Sequence, residues 1–181
     1  MKFLHAADLH LDTPFQGLSG LTPALQERLV TAPLRALSRL VDLAVAEQVD
    51  FVLLVGDLFD QQGQSVQAQA ALMTALARLN TASIPVLLSF GNHDFQADLS
   101  RWHFPANVHV FGPQVTTATL TTVAQERVAI SGFSYAQRWV TTTQLMIILL
   151  KPRALIIRLV PCTVRLVWRV TTTPRSTLVN Y

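Results

Sequence analysis

The sequence predicts an α/β fold with a mainly parallel sheet flanked by helices. Three observations predict it. Three apolar segments of strand length occur at 2–7, 51–55 and 84–90. Helical apolar spacing fills the two gaps between them, giving the order β-α-β-α-β, which closes naturally into a parallel sheet. Each of the three segments also ends in a short run of carboxylate, imidazole or amide residues, and ligands in such sheets gather beyond the carboxyl ends of the strands.

The first strand, 2–7, leads into a loop carrying Asp8 and His10. Pro14, Gly17 and Gly20 mark 12–20 as loop. Thr22-Pro23 is a helix start, with a hydroxyl cap before proline at the first helical position and Glu27 placed to complement the amino end. Pro33 breaks or kinks this segment. From Leu34 the apolar residues Leu37, Val41, Ala44 and Val45 follow helical spacing, and the helix ends near Gln48. The strand Phe51–Val55 is apolar throughout, as expected of a strand covered on both faces. Gln61–Gln64 is a polar loop, and Ser65 caps a helix whose face is Ala68, Leu72, Leu76 and Leu79. After Asp98, the segments 108–111, 115–123 and 127–133 read as shorter strands of a second sheet packed on the first.

The chain changes character near residue 141. Residues 1–140 hold 8 Lys+Arg against 11 Asp+Glu, a balance of −3, while 141–181 hold 6 basic residues and no acid, a balance of +6. The net charge of +3 therefore belongs to the tail and does not make the body a basic nucleic-acid binder. The tail also lacks Gly, His and Phe, and sustains neither helical nor strand periodicity. Local and global signals disagree there, so 141–181 are expected to be read from a shifted frame or to be otherwise foreign to the domain. A single-base correction near codon 140 should then restore a continuation containing Gly and acids. The expected division is an incomplete domain over 1–140 and a basic, acid-free tail over 141–181.

Composition sets further bounds. Half of the chain is apolar and 14% is charged, so it is globular rather than disordered. The single cysteine, Cys162, excludes an internal disulfide and a cysteine-rich zinc site. No apolar run approaches the ~18 residues of a membrane span, and no signal peptide is visible, so a cytoplasmic location is expected.

Three motifs carry the chemistry. Asp8 and His10 lie two apart, a spacing that puts both side chains on one side of an extended chain. Carboxylate with imidazole and no thiolate suits Mn²⁺, Fe or Zn²⁺. Gly56-Asp57 follows a buried strand, so glycine permits a tight turn and Asp57 can bridge two cations through its two oxygens. Asp60 reads as a loop cap or as an acceptor behind the ligands. In Gly91-Asn92-His93-Asp94, Asn92 offers a carbonyl ligand and His93 can protonate a leaving oxygen or stabilise a phosphoryl oxygen. Asp94 is placed to orient the His93 ring. Taken alone, Asp8 and His10 read first as a solvated loop pair and Gly91–Asp94 as a turn, while Gly56-Asp57 after a buried strand is a stronger signal. Three strand ends carrying ligand-type residues read as one metal site. His5 is expected to be a packed strand residue, and His103 and His109 structural or surface residues. Arg101, Trp102, Arg138 and Trp139 read as ordinary surface in preference to a nucleic-acid contact.

These motifs resemble those of the calcineurin-like metallophosphoesterases. Ala7-Asp8-Leu9-His10-Leu11-Asp12-Thr13-Pro14-Phe15, Val49-Asp50-Phe51-Val52-Leu53 and Gly132-Phe133-Ser134-Tyr135 resemble the family's DNA-repair exonuclease branch, the SbcD-type and YhaO-type nucleases. The resemblance covers residues 1 to about 139. It implies the front part of an α/β/β/α sandwich with two divalent ions, manganese being typical. Asp8 and His10 would hold the first, Asp57 would bridge, Asn92 would hold the second, and His93 would act at the scissile phosphate. It further implies DNA as substrate and an SMC-like ATPase subunit as partner. Family members carry further histidine ligands downstream, whereas this chain has no histidine after residue 109. Three functions stay open: a metal-dependent DNA nuclease domain, truncated or frame-altered after about residue 140; a phosphoesterase acting on another ester; and a non-catalytic remnant.

Overall fold

The structure, a computed structural model, describes residues 1–14, 20–60, 65–94, 102–137 and 156–158. Its elements are β1 (Phe3–Ala7), α1 (Pro23–Val30), α2 (Ala32–Ala46), β2 (Phe51–Gly56), α3 (Val66–Thr81), β3 (Val86–Phe90), β4 (Val108–Val110), β5 (Thr116–Thr121), β6 (Arg127–Gly132) and β7 (Ile156–Arg158). The first sheet runs β1-β2-β3-β4 with every pair parallel, and the second runs β5-β6-β7.

β2 and β3 are the central strands and are buried at every position. One face of the sheet carries Val52, Leu54, Val86 and Leu88 against Leu37, Val41 and Ala44 of α2 and Ala68, Leu72, Leu76 and Leu79 of α3. The other face carries Phe51, Leu53, Val55 and Leu87 against Val128 and Ile130 of β6, with Phe3, Ala118 and Leu120 at the margin. The described layers are therefore helix, sheet, sheet. Phe51, Phe59, Phe90 and Phe111 are among the largest fully buried side chains, each worth about 1.5–3 kcal/mol of transfer free energy.

Several local expectations meet different physics. Val108–Val110 does not join the second sheet. It adds to the first, pairing Val86 with Val108 in parallel register, because Val108 and Val110 pack on the helix-side cluster while His109 faces solvent. Pro33 sits at the start of α2, where its missing N–H costs nothing, so it opens a helix instead of kinking one. Thr22 occupies the N-cap of α1 but its hydroxyl makes no capping bond; its carbonyl receives Leu25 and Gln26 N–H groups, both at 3.0 Å. Glu27 lies beyond the first turn and so does not serve that helix's amino end. Val45 turns away from the core and is 42% exposed. Ser65, by contrast, caps α3, accepting Ala68 N–H at 3.1 Å.

The second sheet is welded to the first near its carboxyl end. Ser134 Oγ accepts the Phe90 N–H at 3.0 Å and donates to the Phe111 carbonyl. Ser89 Oγ donates to the Phe133 carbonyl, and Tyr135 N–H reaches Phe90 O at 3.1 Å. Gly132 lies so close to the Phe111 ring that a Cβ there would stand 2.9 Å from it. At the opposite end, Asp50 accepts Lys2 N–H at 2.7 Å and Val123 N–H at 2.9 Å, tying β1 and the β5–β6 turn to β2. Most of the basic tail lies outside the described residues. Within it, β7 pairs in parallel with β6, Ile157 opposite Ile130. Among the described residues no helix is long and apolar enough to cross a membrane.

Candidate metal centre

The three motifs converge because parallel pairing carries on past the strands. Asp8 N–H donates to Val55 O at 3.0 Å, His10 N–H to Asp57 O at 3.1 Å, and Leu11 N–H to Leu58 O at 2.9 Å. The loop after β1 is thus laid along the loop after β2, and buried Leu11 and Leu58 anchor it from below. Asp8 and His10 hold left-handed backbone, with φ of 52° and 44°, a conformation costing a side-chain-bearing residue roughly 1–2 kcal/mol. The ladder bonds hold them there.

Two glycines create the room. A Cβ on Gly56, itself at φ +84°, would stand 2.2 Å from Asp8 Oδ1. One on Gly91 would stand 2.1 Å from Asp57 Oδ1 and 2.7 Å from Asp57 N. Only backbone without side chains lets these two carboxylates lie against it. Asp57 is buried, and its Oδ1 accepts the His93 N–H at 2.8 Å. Its own N–H points to Asp8 Oδ1 at 3.3 Å. Asn92, half-buried, stands between Gly91 and His93 in the loop after β3.

The imidazoles of His10 and His93 meet edge to face, with centroids 5.6 Å apart. Both point Nδ1 at Asp60. His10 Nδ1 lies 3.0 Å from Asp60 Oδ1; His93 Nδ1 lies 3.1 Å from Asp60 O and 3.5 Å from Asp60 Oδ1. A carbonyl and an ionised carboxylate only accept, so both rings carry their proton on Nδ1 when neutral. That leaves each Nε2 with a lone pair. Asp60 thus orients two rings from behind.

Asp94 does not orient His93. Its oxygens instead accept Gly91 N–H at 2.7 Å and Leu58 N–H at 2.8 Å, so it stitches the loop after β3 to the loop after β2. The ring is out of reach because the carboxylate turns inward, where two backbone donors would otherwise be buried without partners. Burial raises the Asp94 pKa to about 7, outweighing the backbone N–H groups that favour its charged form, and the nearby Asp57 carboxylate adds to the rise. His5 lies in β1, half-buried, and burial lowers its pKa. His103 and His109 are exposed, away from the motifs. Trp102 stacks on Phe104 at 5.4 Å and tilts against Phe59 at 5.8 Å, a packing role. Arg101, Arg138 and Trp139 lie outside the described residues. Asp12, Ser89 and Ser134 are not singled out by the sequence motifs as site residues; a buried hydroxyl or a loop carboxylate has no sequence signal apart from its partners.

The donors fit a divalent cation in kind. Carboxylates of Asp8, Asp57 and Asp60 gather with two imidazoles, and among the described residues no lysine or arginine pairs with any of those three. Uncompensated negative charge of this density, partly buried, calls for a cation. The set is one-sided, however: among the described residues no three of His, Cys, Asp and Glu already stand as a ligand group.

Comparison with known proteins agrees with this geometry. Residues 1–139 match the family model described as calcineurin-like phosphoesterase. The chain is 40% identical over 140 residues to the uncharacterized metallophosphoesterase YhaO of Bacillus subtilis, covering 76% of this chain and 34% of that protein. It is 36% identical over 96 residues to the SbcD component of the nuclease SbcCD of Rhodobacter capsulatus, covering 52% and 22%. Against the DNA double-strand break repair protein Mre11 of Thermoplasma acidophilum it is 39% identical over 54 residues, covering 30% and 14%. The chain thus spans about a third or less of the length of these curated relatives. With its motifs at three adjoining strand ends and the family model matched from residue 1 to residue 139, the chain belongs to the calcineurin-like phosphoesterase family.

Proposed function

We propose that residues 1–140 are the front part of a metal-dependent phosphodiesterase domain acting on DNA, of the exonuclease type. The observation that supports the reading is that Asp8, His10, Asp57 and His93 are joined at adjoining strand ends, with both imidazole rings held from behind by Asp60. Similarity to a component of the nuclease SbcCD and to the DNA-break repair protein Mre11 supports the substrate class. Asp8 and His10 would hold one divalent ion, Asp57 would be shared, and Asn92 would serve a second, with manganese the proposed ion. Bound there, such ions lower the pKa of water and neutralise charge on a phosphoryl group.

The chain's own residues do the rest. Asp57 is fixed through Oδ1 by the His93 N–H, and Oδ2 would be its oxygen for an ion. His93, with Nδ1 on Asp60, keeps Nε2 for the reacting group: protonated, it would donate to a phosphate oxygen or leaving oxygen, and neutral, it would accept from a water or hydroxyl. The missing downstream histidines leave the second ion with fewer ligands, so turnover by these 181 residues should be weak or absent beside that of a longer relative. A complex with an SMC-like ATPase subunit is proposed from the resemblance to the SbcD-type branch, and the SbcD relative is itself one subunit of a nuclease.

One assay decides. The chain is incubated with Mn²⁺ and single- or double-stranded DNA, beside a small phosphodiester. Metal-dependent DNA cleavage, lost in Asp57→Ala, supports the nuclease. Cleavage of the small ester alone moves the reading to another phosphoester, and no turnover together with no metal binding would identify a non-catalytic remnant.

A further inference from the structure

We infer that Asp12, which lies outside the metal and phosphate motifs, is the positioning residue that sets Asp60 between His10 and His93. The effect on turnover rests on the proposed function; the effect on the two rings does not.

A closed circuit of bonds joins these residues. Asp12 stands directly after Leu11, whose side chain is 3% exposed and whose N–H is bonded to Leu58 O at 2.9 Å. It therefore has a rigid base. Its Oδ1 accepts the Asp60 N–H at 2.6 Å, and its Oδ2 faces the Ser65 N–H at 3.3 Å. Ser65 is itself fixed as the cap of α3. One carboxylate thus holds both Asp60 and Ser65. Asp60 then presents Oδ1 to His10 Nδ1 at 3.0 Å and its carbonyl to His93 Nδ1 at 3.1 Å. The main chain runs from His10 to Asp12, and hydrogen bonds run from Asp12 to Asp60 and from Asp60 back to His10.

The chemistry asks for aspartate here. Two separate N–H donors need two acceptor oxygens, and a charge-assisted bond to backbone N–H is roughly twice as strong as a neutral one. Asparagine retains one acceptor and loses the charge. Alanine retains neither, freeing Asp60 N–H and with it the rotation of the Asp60 carboxylate and carbonyl.

The test uses metal-free, full-length chain and reads the tautomers of the imidazole rings by long-range ¹H–¹⁵N correlation. In the parent protein His10 and His93 should both show the Nδ1–H form. In Asp12→Ala both should shift toward a mixture, with His103 and His109 unchanged and far-ultraviolet circular dichroism retained. Asp12→Asn should lie between, and it carries the test if Asp12→Ala does not fold. Where turnover of a small phosphodiester is measurable with Mn²⁺, kcat should fall by about 10- to 100-fold in Asp12→Ala with KM little changed, the usual range for partners standing behind ligands. Rings that keep the Nδ1–H form in both variants would overturn the inference, whatever happens to activity. Absence of both turnover and Mn²⁺ binding in the parent protein would count against the proposed function while the ring measurement still decides the role of Asp12.

Discussion

Asp57 concentrates the site's chemistry into one side chain. It is buried, bonded through Oδ1 to the His93 N–H, and packed against a glycine that has no alternative. Asp57→Ala should abolish metal-stimulated phosphodiester cleavage, with a loss above about 100-fold because a proposed ligand is removed and not merely its support; retention of a tenth of the activity would sink the assignment. Gly91→Ala should cost about 1–3 kcal/mol by overpacking, since the added Cβ meets Asp57 Oδ1 at 2.1 Å. Urea unfolding checks this, and an unchanged midpoint would contradict it. Asp94 couples stability to pH. Its pKa is raised from 3.8 to about 7, so the folded state binds the proton more tightly than the unfolded chain. The stability this brings is fully present below the unfolded value and is lost as pH rises toward 7. In metal-free protein, the stability of the parent relative to Asp94→Asn should therefore fall between pH 4 and pH 7; a difference that does not vary with pH would refute it.

At the scale of elements, loops are positioned by strands and strands by two polar welds. Ser134 is the more buried weld, joining the end of β3 to the end of β4 through Phe90 N–H and the Phe111 carbonyl. Ser134→Ala leaves a buried donor and acceptor without that partner and should cost about 1–3 kcal/mol. Amide exchange should show Gly91–Asp94 loosening with it. If exchange there is unchanged, the weld does not position the loop. The helices were legible from periodicity: Leu37, Val41, Leu72, Leu76 and Leu79 are all buried. Val45 was not, because one position of rotation takes it off the face that α2 buries. The second weld, Asp50 to Lys2 and Val123, spans 73 residues at its longer reach, and no local pattern announces a bond of that separation.

For the whole molecule, the prediction concerns cation binding. Clustered carboxylates destabilise the metal-free fold and a bound ion relieves them, so Mn²⁺ should raise the thermal midpoint and a chelator should reverse the rise. Saturation at 100 times the dissociation constant corresponds to about 2.7 kcal/mol. The same titration on Asp57→Ala should show a much smaller shift; equal shifts would place the ion elsewhere. The layered order of helix, sheet and sheet also puts these carboxylates at one rim, where the parallel strands end together.

Sequence alone determined the parallel β-α-β-α-β core and the three motif-bearing strand ends, because hydrophobic period and motif chemistry are local properties. It also singled out Asp8, His10, Asp57, Asn92 and His93 as candidate site residues. Partnership was decided only by tertiary structure. Asp94 turned to backbone donors in place of His93, Asp60 took both imidazoles, Asp12 took Asp60, and Val108–Val110 crossed to the first sheet. Each of these joins residues far apart in the chain, and a buried donor or acceptor chooses its partner by what folding brings within about 3 Å.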